Sequence, residues 1–353
     1  RKFGGMTEKD AEELWLLVEP FQGYGFNKAH AASYGRVAYQ TAYMKANFPA
    51  IYMSAVLTAE SGDTDMIAEI IGECKRMNIP VLPPDVNFSF EGFGVNKAKN
   101  EGEIDTIRFG LTTIKNFGES VATSIIEERK ANGPFKTLSD FLSRIKDKNL
   151  NKKSMESLIK TGAFDSLAKT DDDKEQYRFT LLHNLDRLLA FNKEERAKET
   201  DQDSLFGSLA GSNVATEIDL EKAPHGNAAD KLLWEKELLG LYISGHPLES
   251  FKERLENKTT DIKRMKESAK EKQPIVFGGI IDEVKPVVTK KGDKMVFLKI
   301  SDLTDTIEAV AFPKVFEEFQ EIIIPESCVV IKGTFSIRNG EKSVLVDKLK
   351  LLE

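Results

Sequence analysis

The apolar positions of this chain change period along its length. Through residues 1–100 they recur at helical spacing. Thr7 is placed to cap a helix through residues 10–18 that stops before Pro20. A turn containing Gly23, Gly25 and Asn27 leads into a long helix from Lys28 to about Asn47, and another follows from Pro49 to about Thr58. Residues 107–111 lead into Ile114-Lys115-Asn116-Phe117-Gly118 and a helix over 120–130. A second turn of similar pattern follows at 153–165, where Gly162 is placed to end a helix. Leu181, Leu182, Leu185, Leu188 and Leu189 form the apolar stripe of one helix over 175–198, and residues 230–239 form another amphipathic segment. From Pro274 the period becomes two. Strands are predicted at 275–281, 295–301, 306–312, 328–338 and 342–351, with a short helix over 315–323 after the third. Gly278-Gly279 permits a sharp bend in the first of them.

The fold class that follows is multidomain: an all-α N-terminal two-thirds, then an all-β barrel. Helix, apolar-x-apolar-Gly turn, helix is a helix-hairpin-helix, whose turn offers backbone N–H groups to a DNA phosphate without reading sequence. Lys115, Asn116 and Gly118 belong to the first copy, and Lys152, Lys153, Lys160 and Gly162 to the second. Asn116 stands where Gly is common, a position Asn tolerates because it visits left-handed geometry. Residues 144–160 hold six basic and two acidic side chains. The alternative for either copy alone is a solvated helical face with ordinary C-caps. Three strands, a helix and two strands is the order of a five-stranded OB-fold, which often holds single-stranded nucleic acid and in other cases protein. In its fourth strand Val329, Ile331, Gly333, Phe335 and Ile337 are expected inside, with Lys332 and Arg338 on the opposite face. Phe297 and Lys299 share a face of the second strand, and Lys290 and Lys291 lie in the turn before it. These six residues are the candidate single-strand contacts.

Composition narrows the picture. With 41% apolar and 30% charged residues the chain is ordinary globular protein, and 353 residues point to two or three domains. No run approaches the eighteen or so apolar residues of a membrane span. Cys74 and Cys328 have no metal-type spacing and read as buried thiols in a reducing cytosol, so a cytoplasmic location is expected. A net charge of −7 excludes a uniformly basic nucleic-acid binder but not local basic patches. The start, Arg1-Lys2-Phe3-Gly4, resembles no signal peptide and lacks Met, which reads as a piece of a longer protein. The polar tract 192–230 carries a Leu-Phe pair, in Gln202-Asp203-Ser204-Leu205-Phe206. Such a pair either packs back on its own domain or anchors an extended peptide in a partner's pocket. Lys28 and His30 at a helix start suit an anion, or are solvated or locally capped. The acidic pairs Asp63/Asp65, Asp171–Asp173 and Asp201/Asp203 sit at a helix start or in polar connectors, not on an apolar strand. No catalytic or metal residue is therefore assigned, and His246, before Pro247 in a turn, is read as structural.

Several longer motifs carry a family resemblance. Gly23-Tyr24-Gly25-Phe26-Asn27-Lys28-x-His30-x-x-x-Tyr34, then Tyr39-Gln40-Thr41-x-x-x-Lys45 and Pro49-Ala50, resembles the fingers of the bacterial replicative polymerase family, the DNA polymerase III alpha subunit. Leu82-Pro83-Pro84-Asp85-Val86-Asn87 and Leu239-Gly240-Leu241-Tyr242-x-x-Gly245-His246-Pro247 are similar to later stretches of the same family. An OB-fold after the other blocks matches the order of the DnaE type rather than the PolC type. The resemblance implies distal fingers over 1–100, a duplex- and clamp-binding helix-hairpin-helix module over 101–205, a linker with a connecting helix and turn over 206–273, and the OB-fold over 274–353. It places Asn27, Lys28 and His30 near nucleotide or template. It makes Gln202, Ser204, Leu205 and Phe206 the sliding-clamp peptide, with Gln202 orienting it and Leu205-Phe206 filling an apolar pocket. The parent protein would transfer deoxynucleotides to a primer 3′ end with Mg²⁺. The fragment itself would need no cofactor and would be inactive alone, because the palm carboxylates are missing. Implied partners are primer-template DNA, single-stranded template, the sliding clamp and other holoenzyme subunits, with no membrane. A non-catalytic DNA-binding clamp adaptor and a paralogous error-prone polymerase remain as alternatives.

Overall fold

The computed structural model describes residues 5–22, 28–98, 100, 102–169, 171–200, 217–224, 226–256, 259–289, 292–338 and 340–352. The chain divides into two compact units. The first holds residues 1–81 and 93–107, and the second holds 82–92 and 108–353.

The first unit is helical, with α1 (Glu8–Gln22), α2 (Lys28–Asn47), α3 (Pro49–Ala59) and α4 (Thr64–Arg76). Pro20 was expected to end α1, yet it lies inside the helix. In the last turn a proline removes a single intrahelical bond, and too few residues remain beyond it to force a break. Pro49 opens α3, where its missing N–H costs nothing. Ala50, Met53 and Leu57 of α3 and Ile67, Ile70 and Cys74 of α4 make this unit's core. Asp63 caps α4 by accepting from the amides of Asp65 and Met66, as its spacing predicts. Glu73 accepts from Lys45 Nζ at 2.7 Å and from Arg76, which together hold its carboxyl below the usual range. Three short strands, β1 (Val81–Leu82), β2 (Gly94–Asn96) and β3 (Thr106–Arg108), form a sheet of order β1-β3-β2.

The second unit begins with helices α5 (Glu119–Asn132), α6 (Leu138–Arg144), α7 (Lys152–Lys160), α8 (Asp171–His183), α9 (Leu185–Thr200) and α10 (Ala228–Leu239). Their core includes Phe135, Phe141 and Phe164, which meet edge to face at about 5 Å. One helix was expected over 175–198, but the chain breaks at Asn184. Leu181, Leu185 and Leu188 are buried on both sides of the break. The buried Asn184 side chain donates to the carbonyls of Thr180 and Glu221 and accepts from the Glu221 amide. Residues 217–224, which composition reads as loose linker, are tied down by these bonds, by Ser139 and by Arg187. The tract is polar, and the fixed partners come from helices far away in sequence.

Two short helices, α11 (Lys252–Glu256) and α12 (Ile262–Ser268), precede the barrel. It closes in the order β4-β5-β6-β8-β7, from β4 (Pro274–Val288), β5 (Lys294–Ser301), β6 (Thr306–Ala311), β7 (Cys328–Arg338) and β8 (Glu341–Leu351), with α13 (Pro313–Phe319) between β6 and β7. Only β6 and β8 pair parallel, and that contact closes the five-stranded OB barrel. The expected bend at Gly278-Gly279 is displaced to Asp282, where the β4/β5 register shifts. The glycines instead allow close packing. A Cβ on Gly278 would lie 2.4 Å from Leu255, and one on Gly279 2.4 Å from Ile300. Alternation on β7 holds from Val329 to Phe335 and then reverses: Ser336 is buried and Ile337, expected inside, is 41% exposed. Beyond Phe335 the strand enters the β7–β8 hairpin, where burial no longer follows the pleat.

Candidate nucleic-acid interface

The first helix-hairpin-helix turn is built from two anchors. Ile114 and Phe117 are buried and pin the loop, while Lys115, Asn116 and Gly118 between and after them are exposed. The expected leading helix is a single 3-10 turn over Leu111–Thr113. Asn116 adopts φ +66°, the left-handed geometry the motif demands of its glycine. Lys115 donates its amide to the Leu238 carbonyl of α10 at 2.9 Å, and Phe117 donates to Ile114. Gly118 caps α5 with no side-chain bond to the helix start. Gly118, Glu119 and Ser120 at this helix start are exposed and no capping side chain bonds there, an arrangement that favours an anion. Along α5 the surface turns acidic, with Glu119, Glu127 and Glu128 lining an open hollow.

The second turn has a different character. Gly162 takes φ +78° and ends α7, as its position requires. It is buried: a Cβ there would sit 2.2 Å from the Arg178 guanidinium. The amides of Gly162 and Ala163 donate to Ile159 and Leu158. Lys160 pairs with Glu156 at 2.7 Å and lies over the Trp234 ring. Lys152 donates to Asp186 at 2.8 Å, and Lys153 beside it is exposed. The two turns differ in exposure: Lys115, Asn116 and Gly118 of the first are exposed, while Gly162 and Ala163 of the second are buried.

What covers the second turn was not legible in local spacing. Arg178 on α8 binds Asp165 through Nε and Nη2, the latter at 2.6 Å, and donates through Nη1 to the Lys160 carbonyl. Its other acidic neighbour is Glu235 of α10, fully buried at 3.6 Å. Glu235 accepts from the amides of Ile243 and Ser244 at 3.0 and 2.9 Å, holding the turn after α10. That turn docks on the barrel through Tyr242, which donates to Glu326. Burial raises the Glu326 carboxyl. His246 accepts from the Leu248 amide and caps a short 3-10 helix, and burial lowers its imidazole pKa. These residues link the helical block to the OB barrel within one unit.

On the barrel, Phe297 and Lys299 project outward from β5, between inward Val296, Leu298 and Ile300. Phe297 lies opposite Lys285 of β4, and Lys299 opposite Glu283 of β4 and Glu308 of β6. Lys285 pairs with Glu283 at 3.1 Å, so acid and base are mixed on this face. Lys332 and Arg338 are exposed on β7, on the other side of β4. The four described single-strand candidates, Phe297, Lys299, Lys332 and Arg338, therefore do not form one cluster. In the first unit Lys28 opens α2 and is exposed, and the His30 ring lies tilted against Tyr34 with centroids 4.3 Å apart. Asn27, Gln202, Ser204, Leu205, Phe206, Lys290 and Lys291 lie outside the described residues.

Residues 78–174 match a family model described as a helix-hairpin-helix motif, and residues 275–352 one described as an OB-fold nucleic acid binding domain. The DNA polymerase III subunit alpha of Borreliella burgdorferi is 37% identical over 99% of this chain and 30% of its own length. Its counterpart in Aquifex aeolicus is 38% identical over 93% of this chain and 25% of its own, and that of Thermus aquaticus 38% over 89% and 24%. A mitochondrial single-stranded DNA binding protein of S. cerevisiae aligns with 24% of the chain at 14% identity and a TM-score of 0.21, too distant to bear on the argument. Over nearly its whole length the chain is thus similar to bacterial DNA polymerase III alpha subunits, of whose length it spans 24–30%, and it contains a helix-hairpin-helix part and an OB-fold part.

Proposed function

We propose that this chain is the DNA-gripping part of a replicative DNA polymerase. The observation that carries the reading is the solvent-facing turn Lys115–Gly118, with Asn116 left-handed at the uncapped start of α5, in a chain related to polymerase subunits. The turn holds duplex phosphates irrespective of sequence, and the OB-fold holds single-stranded template through Phe297 and Lys299. Lys28, His30 and Asn27 lie on the nucleotide or template side. The peptide at residues 202–206 tethers the sliding clamp, and the working partners are primer-template DNA, the clamp and other holoenzyme subunits in the cytoplasm. The parent protein extends a primer 3′ end with deoxynucleotides. Its Mg²⁺ ions would neutralise phosphate charge there. Among the described residues no three His, Cys, Asp or Glu side chains come together to hold a metal, so no metal step is assigned to them. The exposed apolar residues of α1 (Trp15, Leu16, Leu17) and of α2 (Tyr34, Tyr39) suit contact with the rest of that machinery.

Duplex binding is tested by fluorescence anisotropy of a labelled 20-mer duplex across a salt series. Log affinity falls linearly with log salt, by about 0.9 for each phosphate neutralised. Asn116→Gly binds like the parent. Asn116→Val, whose branched side chain opposes φ +66°, binds weakly. Changing Lys152 and Lys153 to Ala makes the slope shallower by about 1 to 2. Equal binding by the Val and Gly variants would remove the turn from the interface.

The isolated chain does not extend a primer. Incubation with primer-template, deoxynucleotides and Mg²⁺ leaves the primer at its starting length. Extension above background in a contaminant-free preparation overturns this expectation.

A further inference from the structure

We propose that the OB barrel carries a second single-strand contact on β7 and β8, built from Lys332, Lys348 and Lys350, separate from the Phe297/Lys299 face. The register sets Lys332 of β7 directly opposite Lys348 of β8, and Val330 opposite Lys350. Opposed residues project from the same side, about 5 Å apart, and alternate residues on one strand lie about 7 Å apart. All three lysines are exposed, so their ammonium groups share one small patch of the outer surface. Like charges directly opposite each other destabilise a sheet. Among the described residues no carboxylate forms a salt bridge with any of them, and the acid beside them, exposed Asp347 at the β7/β8 bulge next to Lys348, is one charge against three. A polyanion would offset the remainder.

The neighbourhood favours single-stranded nucleic acid over duplex or protein. Beside the lysines, Val276 of β4 lies opposite Lys332, and Val330 neighbours Gly278. Leu255 of α11 packs over Gly278, where the missing side chain makes room for it. Val276, Val330 and Leu255 line an open groove of about 540 Å³ that also holds Arg254 and one acid, Glu253. A duplex keeps its bases stacked inside, and three charges this close reach one backbone only. An unpaired strand can lay phosphates along the lysines and turn a base into the apolar groove. The barrel is closed, so it offers no free strand edge for a peptide to extend. The Phe297/Lys299 face, by contrast, carries Glu283 and Glu308 among its bases. The two faces lie on opposite sides of β4, so a strand crossing both would wrap the barrel.

The inference rests on the proposed single-strand role of the OB-fold, and the test separates the two. A fluorescein-labelled dT20 oligonucleotide is titrated with the full chain, with a Lys332→Gln/Lys348→Gln/Lys350→Gln variant, and with a Phe297→Ala/Lys299→Gln variant, over a salt series. The triple variant is expected to lose about tenfold in affinity at low salt, with the log–log slope shallower by about 2, from three contacts at about 0.7 each. Its melting temperature should not fall, because the change relieves repulsion. If only the Phe297/Lys299 variant weakens binding, the β7–β8 contact is wrong and the OB-fold reading stands. If neither variant matters, both readings fail. If the triple variant keeps dT20 binding and instead loses an acidic peptide such as a Glu/Leu 12-mer, the patch is a protein site and the proposal is overturned.

Discussion

Replacing Arg178 with Met lowers the stability of the helical block by about 3 to 5 kcal/mol, the usual cost of removing one partner from a buried ion pair. The guanidinium is 7% exposed and Glu235 is 0% exposed, so solvent cannot take over the charge left behind. Glu235 Oε1 already lacks a hydrogen-bond partner, and Arg178 supplies the nearby positive charge that makes its burial tolerable. Asp165 loses its bidentate partner and the Lys160 carbonyl loses a donor. In calorimetry the first transition should move down by roughly 6 °C or more. A second change, Glu235→Gln, should recover part of the loss, because it removes the stranded charge while keeping an acceptor for Ile243 and Ser244. If the single variant melts like the parent, the network is incidental and Gly162 owes its enclosure to something else. Duplex binding should follow folding here. Arg178 touches the enclosed second turn and leaves the exposed first turn alone.

Changing Leu205 and Phe206 together to Ala weakens sliding-clamp binding by about 2 kcal/mol or more while the melting profile stays unchanged. Buried aliphatic and aromatic anchors carry most of the energy of a peptide interface. Large side chains of the described cores include Phe141 and Phe164 in the helical block and Phe277 and Phe335 in the barrel. Gln202→Ala should cost less, since a hydrogen bond contributes about 1 kcal/mol net. The measurement is titration of the chain with purified clamp, beside melting of the same variants. A double variant that melts several degrees lower yet binds the clamp normally would show the pair to be core. A variant unchanged in both measurements would leave residues 202–206 without the proposed role.

Local pattern was sufficient for the elements and their class. The two-residue alternation of β5 and most of β7, the Asp63 cap, the left-handed tolerance of Asn116 and the helix end at Gly162 each depend on atoms within a few residues, so they were legible directly. The order of strands and helix likewise specified the barrel. Four features needed the folded chain. Asn184 breaks a helix its leucine stripe would continue, because a carbonyl 37 residues away is its partner. Gly278 and Gly279 serve close packing against Leu255 and Ile300, contacts made across the fold. The two helix-hairpin-helix turns look alike in sequence, yet Arg178, Asp165 and Glu235 close one and leave the other open. Lys332 and Lys348 become neighbours only through the β7–β8 register. Sequence determined what each segment forms, because those preferences are short-range. Tertiary structure decided which turn, face and charge remain available to a ligand, because availability depends on what distant parts of the chain cover.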